Sequence, residues 1–165
     1  MKTTDTRFSK AQVVVHWLTL LLLLGSFFSH DAMESAYEAL TQSDAANFSP
    51  ALGVQVHVII GISVLVLTLI RIFLKVTKGA PAPVEGQHPL ITIASASVHG
   101  LLYLVLLAMP LTGMAAWFGM ITAVGEVHGV LFGITLALVA AHVLAALFHQ
   151  FIIKDNLLAR MTFRG

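Results

Sequence analysis

Four long apolar stretches constrain this sequence more than any other feature, because each can cross a lipid bilayer as a helix. A span needs about 20 apolar residues to cross a hydrocarbon core of about 30 Å. Charged residues make up only 10% of the 165 residues, against about 25% in an average soluble protein. The sequence predicts an all-α fold: an integral membrane four-helix bundle in the lipid bilayer, forming a single domain over residues 1–165. We place the spans at residues 11–28, 54–73, 96–118 and 127–153.

The positive charges lie on only three segments of the chain. All nine Lys and Arg residues fall before residue 11, between residues 71 and 78, or after residue 153. Four spans place these segments on one side of the membrane, and cytoplasmic segments are the ones enriched in Lys and Arg. We therefore expect both termini to be cytoplasmic. A cleaved signal peptide is the alternative for the first span, but no small-residue cleavage site follows it.

Cysteine is absent, whereas histidine occurs eight times. The absence of cysteine excludes disulfides, a thiolate nucleophile, cysteine-ligated clusters and covalent haem attachment. Ionisable side chains inside a membrane are costly, so each one there is a candidate for a function. Four histidines lie nearer the span ends or in loops: His30, His88, His99 and His149. We take the other four, in or just inside the predicted spans, as the main candidates: His16, His57, His128 and His142.

The depths of these four histidines sort them into two pairs. His128 and His142 are 14 residues apart on one span, which is about 3.9 helical turns, so they face the same side about 21 Å apart. His57 follows the entry of the second span from outside, and His16 follows the entry of the first from the cytoplasm. We expect His57 to pair with His128 and His16 with His142. Two bis-imidazole pairs in a helix bundle are typical of two b-type haems, with these histidines as axial ligands.

Other uses of the histidines are less compatible with the sequence. A zinc or di-iron site needs three or four ligands together, usually with carboxylates. Proton relays also favour acidic residues within the spans. The one acid at a span boundary is Glu126. A haem-free transporter or assembly factor, with structurally hydrogen-bonded histidines, is the remaining alternative.

Two further residues have a functional and a structural interpretation each. Arg71 lies 14 residues after His57, on the same side but at the depth of the inner pair. Its guanidinium could bind a haem propionate or extend to the lipid headgroups. Gly61, one turn after His57, could admit a porphyrin edge or allow close helix packing.

Motifs along nearly the whole chain resemble one family. VVVHWL, VHVIIGISVLVLTLIRIFL, HGLLYLVLLAMPLTG and HGVLFGITLALVAAHVLAALFH, followed by KDNLLARM, are similar to the bacterial cytochrome b561 family, which is related to the cytochrome b subunits of nickel–iron hydrogenases. The resemblance implies a multi-pass protein of the bacterial inner membrane with two haem b groups and ubiquinone as electron partner, and no nucleic acid partner. The family's ligand histidines match His16, His57, His128 and His142.

The resemblance also draws attention to His149, which matches an extra histidine near the family's quinone site. It lies seven residues beyond His142 on the same helix face, and we interpret it as the catalytic candidate that binds a quinone oxygen or passes a proton. Two alternatives remain. His149 could replace His142 as the partner of His16, which would place the irons about 31 Å apart along the helix, or it could bond to lipid headgroups.

The predicted function is electron transfer between a one-electron donor and the ubiquinone pool. One characterised type of family member is a superoxide oxidase, so superoxide is a candidate donor through the resemblance alone, and the sequence leaves open whether the chain is an enzyme. The connection over residues 29–53 holds acids and no Lys or Arg, which would repel superoxide. The alternative function is a membrane anchor and electron conduit for a periplasmic redox protein that docks on this acidic connection.

Overall fold

The computed structural model describes residues 7–42, 51–82 and 86–163. Four helices in this part of the chain are long and apolar enough to cross a membrane, which confirms the predicted all-α membrane fold. A fifth, shorter helix lies between the first two spans. The helices are α1 (Lys10–Phe28), α2 (His30–Gln42), α3 (Leu52–Lys78), α4 (Pro89–Gly119) and α5 (Thr122–Phe148), and α5 is followed by a π-helical turn (His149–Ile153) and a 3-10 turn (Leu157–Met161).

The last two spans begin earlier than the sequence predicted. His88 caps α4, because its ring Nδ1 accepts a hydrogen bond from the backbone N–H of Leu90, and Pro89 occupies the first helical position, where a missing N–H costs nothing. The helix then runs on through the buried Pro110. Only two residues separate α4 from α5, so His128 lies in the second turn of α5 and not at the edge of a span.

The buried threonines of the bundle interior form hydrogen bonds within their own helices. α4 packs against α5, α1 against α3, and α3 against α4. Thr19, Thr68 and Thr135 are buried, and each hydroxyl donates to the carbonyl oxygen four residues earlier at 2.7 Å. Hydrocarbon offers no hydrogen-bond partner, so these internal bonds are required. Most large apolar side chains instead point outward, which suits a surface covered by lipid.

The two ends of the bundle differ in how they are closed. At what we call the terminal end, α1 begins and α3 and α5 finish. There the indole Nε1 of Trp17 donates to the carbonyl oxygen of Met161 at 2.9 Å, and Nη1 of Arg160 donates to that of Ala82 at 2.7 Å. The segment after α5 therefore folds back across this end.

The opposite end, which we call the α2 end, is covered by α2. The sequence treated this stretch only as an acidic connection, yet its described part is an amphipathic helix. Ala36 is buried, whereas Asp31 and Glu34 are exposed. A Cβ added to Gly53 would lie 2.7 Å from the Cβ of Ala32. Gly53 thus allows α2 to pack closely on the first turn of α3.

Candidate functional site

At the α2 end, α3 and α5 bring His57 and His128 together. Their ring centres are 6.4 Å apart and their planes are 76° apart. When one imidazole binds each face of a metal, each metal–nitrogen bond is about 2.0 Å long and each ring centre lies about 1.1 Å beyond its nitrogen. The two ring centres are then about 6 Å apart. The observed spacing of 6.4 Å is compatible with two axial ligands of one metal.

Hydrogen bonds to Nδ1 of both histidines leave their Nε2 atoms available to bind a metal. Nδ1 of His128 lies 2.8 Å from the carbonyl oxygen of Met109 and donates to it. The hydroxyl of Ser29 donates to the carbonyl oxygen of Gly25 at 3.0 Å, so its lone pair accepts from Nδ1 of His57 at 3.1 Å. With Nδ1 protonated, Nε2 of each neutral ring carries the lone pair that a metal needs.

A cavity of about 520 Å³ surrounds this pair, within the range of small-molecule and cofactor sites. Glycines form part of its wall. A Cβ added to Gly61 or Gly129 would meet nothing within 4 Å, whereas one added to Gly113 would lie 2.9 Å from Cε1 of His128. The wall is therefore open enough for a flat macrocycle, and a haem fits the residues present.

Nearer the terminal end, α1 and α5 bring His16 and His142 together, with ring centres 6.1 Å apart. This spacing again suits two axial ligands. His99 of α4 joins them, at 5.1 Å from His142, which is too close for two rings on opposite faces of one metal. Nδ1 of His99 donates to the carbonyl oxygen of Ser95 at 2.7 Å. The sequence missed His99 because it placed the start of α4 too late, which made this residue look terminal.

Arg71 lies inside the bundle next to this second pair. Its Nη2 donates to Nδ1 of His16 at 3.1 Å, and its guanidinium carbon lies 5.5 Å from the ring centre of Tyr103. Nζ of Lys75 lies 4.7 Å from the same ring centre. The arrangement is not that of an arginine extended to the headgroups. It places a guanidinium where it can bind a carboxylate beside the histidine pair.

His149 lies at the end of α5 and is buried, with 7% of its surface exposed. Its Nδ1 is 2.5 Å from Oδ2 of Asp155, and Oδ1 of that carboxylate accepts from the backbone N–H of Leu157 at 3.1 Å. In the structure, the hydrogen bond of His149 is therefore to a protein carboxylate. The sequence missed Asp155 as a partner, since six residues along a regular helix would place it on another face.

Comparison with known proteins decides the class of this site. A model of the family described as prokaryotic cytochrome b561 matches residues 7–164. The chain belongs to this family. The resemblance drawn from the sequence motifs is thereby confirmed, and the chain is a multi-pass bacterial membrane cytochrome that binds haem b and transfers electrons.

Three relatives cover nearly all of the chain. Cytochrome b562 of Cereibacter sphaeroides is 37% identical over 160 residues, which is 96% of this chain and 97% of the relative. Cytochrome b561 homolog 1 of Escherichia coli is 31% identical, covering 94% of this chain and 96% of the relative. The probable superoxide oxidase CybB of Yersinia pestis is 28% identical, covering 94% and 95%.

Proposed function

We propose that the chain carries two b haems and moves electrons between a one-electron donor and ubiquinone. The observation that carries this proposal is the presence of two imidazole pairs with ring centres 6.4 Å and 6.1 Å apart. The α2-end haem would be held by His57 and His128, and the terminal-end haem by His16 and His142. Haem b then supplies a centre that takes and gives one electron at a time.

The surrounding residues support this assignment in different ways. The Nδ1 contacts of His57 and His128 leave Nε2 free for iron. Iron bound at Nε2 of His16 would require the ring proton to move to Nδ1, which would end the hydrogen bond from Arg71. The guanidinium would then be free to bind a haem propionate, which is the role we propose for Arg71.

Quinone reduction would take place at the terminal end, beside His149. Adding two electrons and two protons to a quinone needs both a nearby haem edge and a proton donor. His149 lies about 10 Å along the helix from His142, and imidazole exchanges protons readily near neutral pH. The positive-inside rule places this end in the cytoplasm and the α2 end in the periplasm of the inner membrane.

The donor would approach at the α2 end, whose exposed charges are acidic. Asp31, Glu34 and Glu38 of α2 are exposed, and Glu34 and Glu38 also line the cavity around His57 and His128. A negative surface disfavours an anion such as superoxide. The superoxide activity in the name of the Yersinia pestis relative therefore carries over only as a candidate.

A second candidate function follows from the same acidic face of α2. The chain would act as an anchor and electron conduit for a basic periplasmic redox protein that docks there, since complementary charge steers association. Electron transfer from such a protein would then weaken with rising salt concentration, whereas chemical reduction of the haems would not.

One experiment tests the central proposal and separates the alternatives. The chain is purified without a partner, its haem content is measured, and an optical redox titration is recorded. We expect two haems per chain with low-spin spectra, followed by reoxidation on addition of a ubiquinone analogue. One haem or none would contradict the proposal, and none would favour the haem-free transporter. Two haems without quinone reduction would favour the conduit.

A further inference from the structure

His149 and Asp155 form a polar pair outside the two histidine pairs. Both side chains are 9% exposed, and their closest atoms are 2.5 Å apart. A buried carboxylate and a buried imidazole are costly to remove from water unless they bond to each other. Their position at the end of α5 is thus a specific feature of the fold and not a surface ion pair.

The backbone around the pair is built to bring Asp155 back to His149. The carbonyl oxygen of His149 accepts from the N–H of Lys154 at 2.8 Å, which is the wider hydrogen-bond spacing of a π-turn. Lys154 and Asn156 both have left-handed backbone angles, with φ of 62° and 55°. These two positions reverse the chain around Asp155, and Leu157 N–H then holds its second oxygen.

We propose that Asp155 is the positioning residue for His149 in quinone reduction. This inference rests on the proposed function and extends it to a residue that sequence reasoning passed over. The carboxylate accepts a hydrogen bond from the protonated Nδ1 of His149. This bond fixes the orientation and the tautomer of the ring, and it leaves Nε2 as the atom that contacts the substrate. The same division of roles operates in catalytic Asp–His pairs, where the carboxylate orients the imidazole and stabilises its charged form.

Ubiquinone takes two electrons from the haem chain and two protons, and becomes ubiquinol. His149 in its charged form gives the Nε2 proton to a quinone oxygen as the first electron arrives. The neutral ring takes up a proton from solvent at the membrane surface and gives it to the quinone with the second electron. Asp155 stays ionised throughout and stabilises the charged ring by its negative charge.

The test compares two substitutions at Asp155 in the purified, haem-loaded chain. Asp155→Asn keeps the size but removes the charge, and its amide can donate to Nδ1 and reverse the tautomer. We expect the maximal rate of haem oxidation by a ubiquinone analogue to fall at least tenfold, with little change in the half-saturating quinone concentration. Asp155→Glu retains the carboxylate and should recover most of the lost rate. Lys154→Gln, on the same turn, should stay within twofold of the parent chain.

A double substitution separates this role from general damage to the fold. His149→Leu with Asp155→Asn should be no slower than His149→Leu alone, because the carboxylate acts only through the ring. Asp155→Asn could instead lose haem or thermal stability, with Asp155→Glu unaffected and the rate per haem unchanged. That result would overturn the proposal, because Asp155 would then have a purely structural role. A slow His149→Leu beside a normal Asp155→Asn would also overturn it while leaving the proposed function intact. Absence of quinone reduction in the parent chain would contradict the proposed function itself.

Discussion

Met109 and His128 are joined by a hydrogen bond of 2.8 Å between a backbone carbonyl oxygen and a ring Nδ1. Met109 immediately precedes Pro110, the proline inside α4. The same oxygen also accepts from the hydroxyl of Thr112 at 2.9 Å. A main-chain atom of one span therefore sets the ring orientation of a histidine on the next, and fixes which nitrogen it presents to the cavity.

The assignment of ligands predicts selective haem loss. His128→Ala should remove the α2-end haem and His142→Ala the terminal-end haem, each lowering the content from two haems to one per chain. Haem quantification and redox titration measure the number lost and the potential of the one that remains. If His142→Ala kept both haems while His149→Ala lost one, the pairing would be wrong and His149 would be the ligand.

The close approach of Gly113 to His128 predicts a strong effect of a single methyl group. A Cβ at Gly113 would lie 2.9 Å from the ring, so Gly113→Ala should push the imidazole aside and lower occupancy of the α2-end haem severalfold. Gly100→Ala is the matched control on the same helix, because its Cβ would meet nothing within 4 Å. Equal haem content in the two variants, measured by absorbance per chain, would show that His128 accommodates the methyl group.

The distribution of Lys and Arg predicts the orientation of the chain. A reporter fused after Gly165 should be active only on the cytoplasmic side, and one inserted after Asn47 only on the periplasmic side. The two fusions control for each other. At each site, a reporter that works only on the other side of the membrane should be inactive. A periplasmic Gly165 fusion would reverse the topology and exchange the sides on which donor and quinone react.

His149 is buried beside Asp155, so we expect its substitution to change the rate of haem oxidation and not the haem spectra. His149→Leu should leave both haem spectra largely unchanged but slow haem oxidation by a ubiquinone analogue at least tenfold. A tenfold change corresponds to about 1.4 kcal/mol in the barrier, a modest effect for one proton donor. Stopped-flow absorbance provides the rate. An unchanged rate with intact haem would remove His149 from the quinone site.

The membrane spans and the depths of the histidines within them could be predicted because both depend on patterns that extend over a whole helix. A run of apolar residues fixes the existence of a membrane helix, and the helical rise fixes the depth of a residue such as His57 or His142 within it. The starts of α4 and α5 were harder to place. They depend on local caps such as His88 and not on hydropathy.

The remaining parts of the site carry little sequence signal. The carbonyl of Met109 is a backbone atom and leaves no mark in the residue pattern. Asp155 reaches His149 only because a π-turn and two left-handed residues reverse the chain. Asn156 is of a residue type that adopts left-handed backbone angles more often than most, but Lys154 gives no such signal. α2 lacks the apolar length of a span, so its packing over the cavity appears only in three dimensions.

The helix α5 carries one member of each histidine pair and ends at Phe148, directly before His149. Inserting a single residue between His128 and His142 would rotate everything beyond it by about 100° and advance it by about 1.5 Å. His142 would then turn away from His16 while His128 kept its own partner. The number of residues in this stretch is therefore constrained independently of their identities, and deletions or duplications there should be lost from populations that depend on the protein.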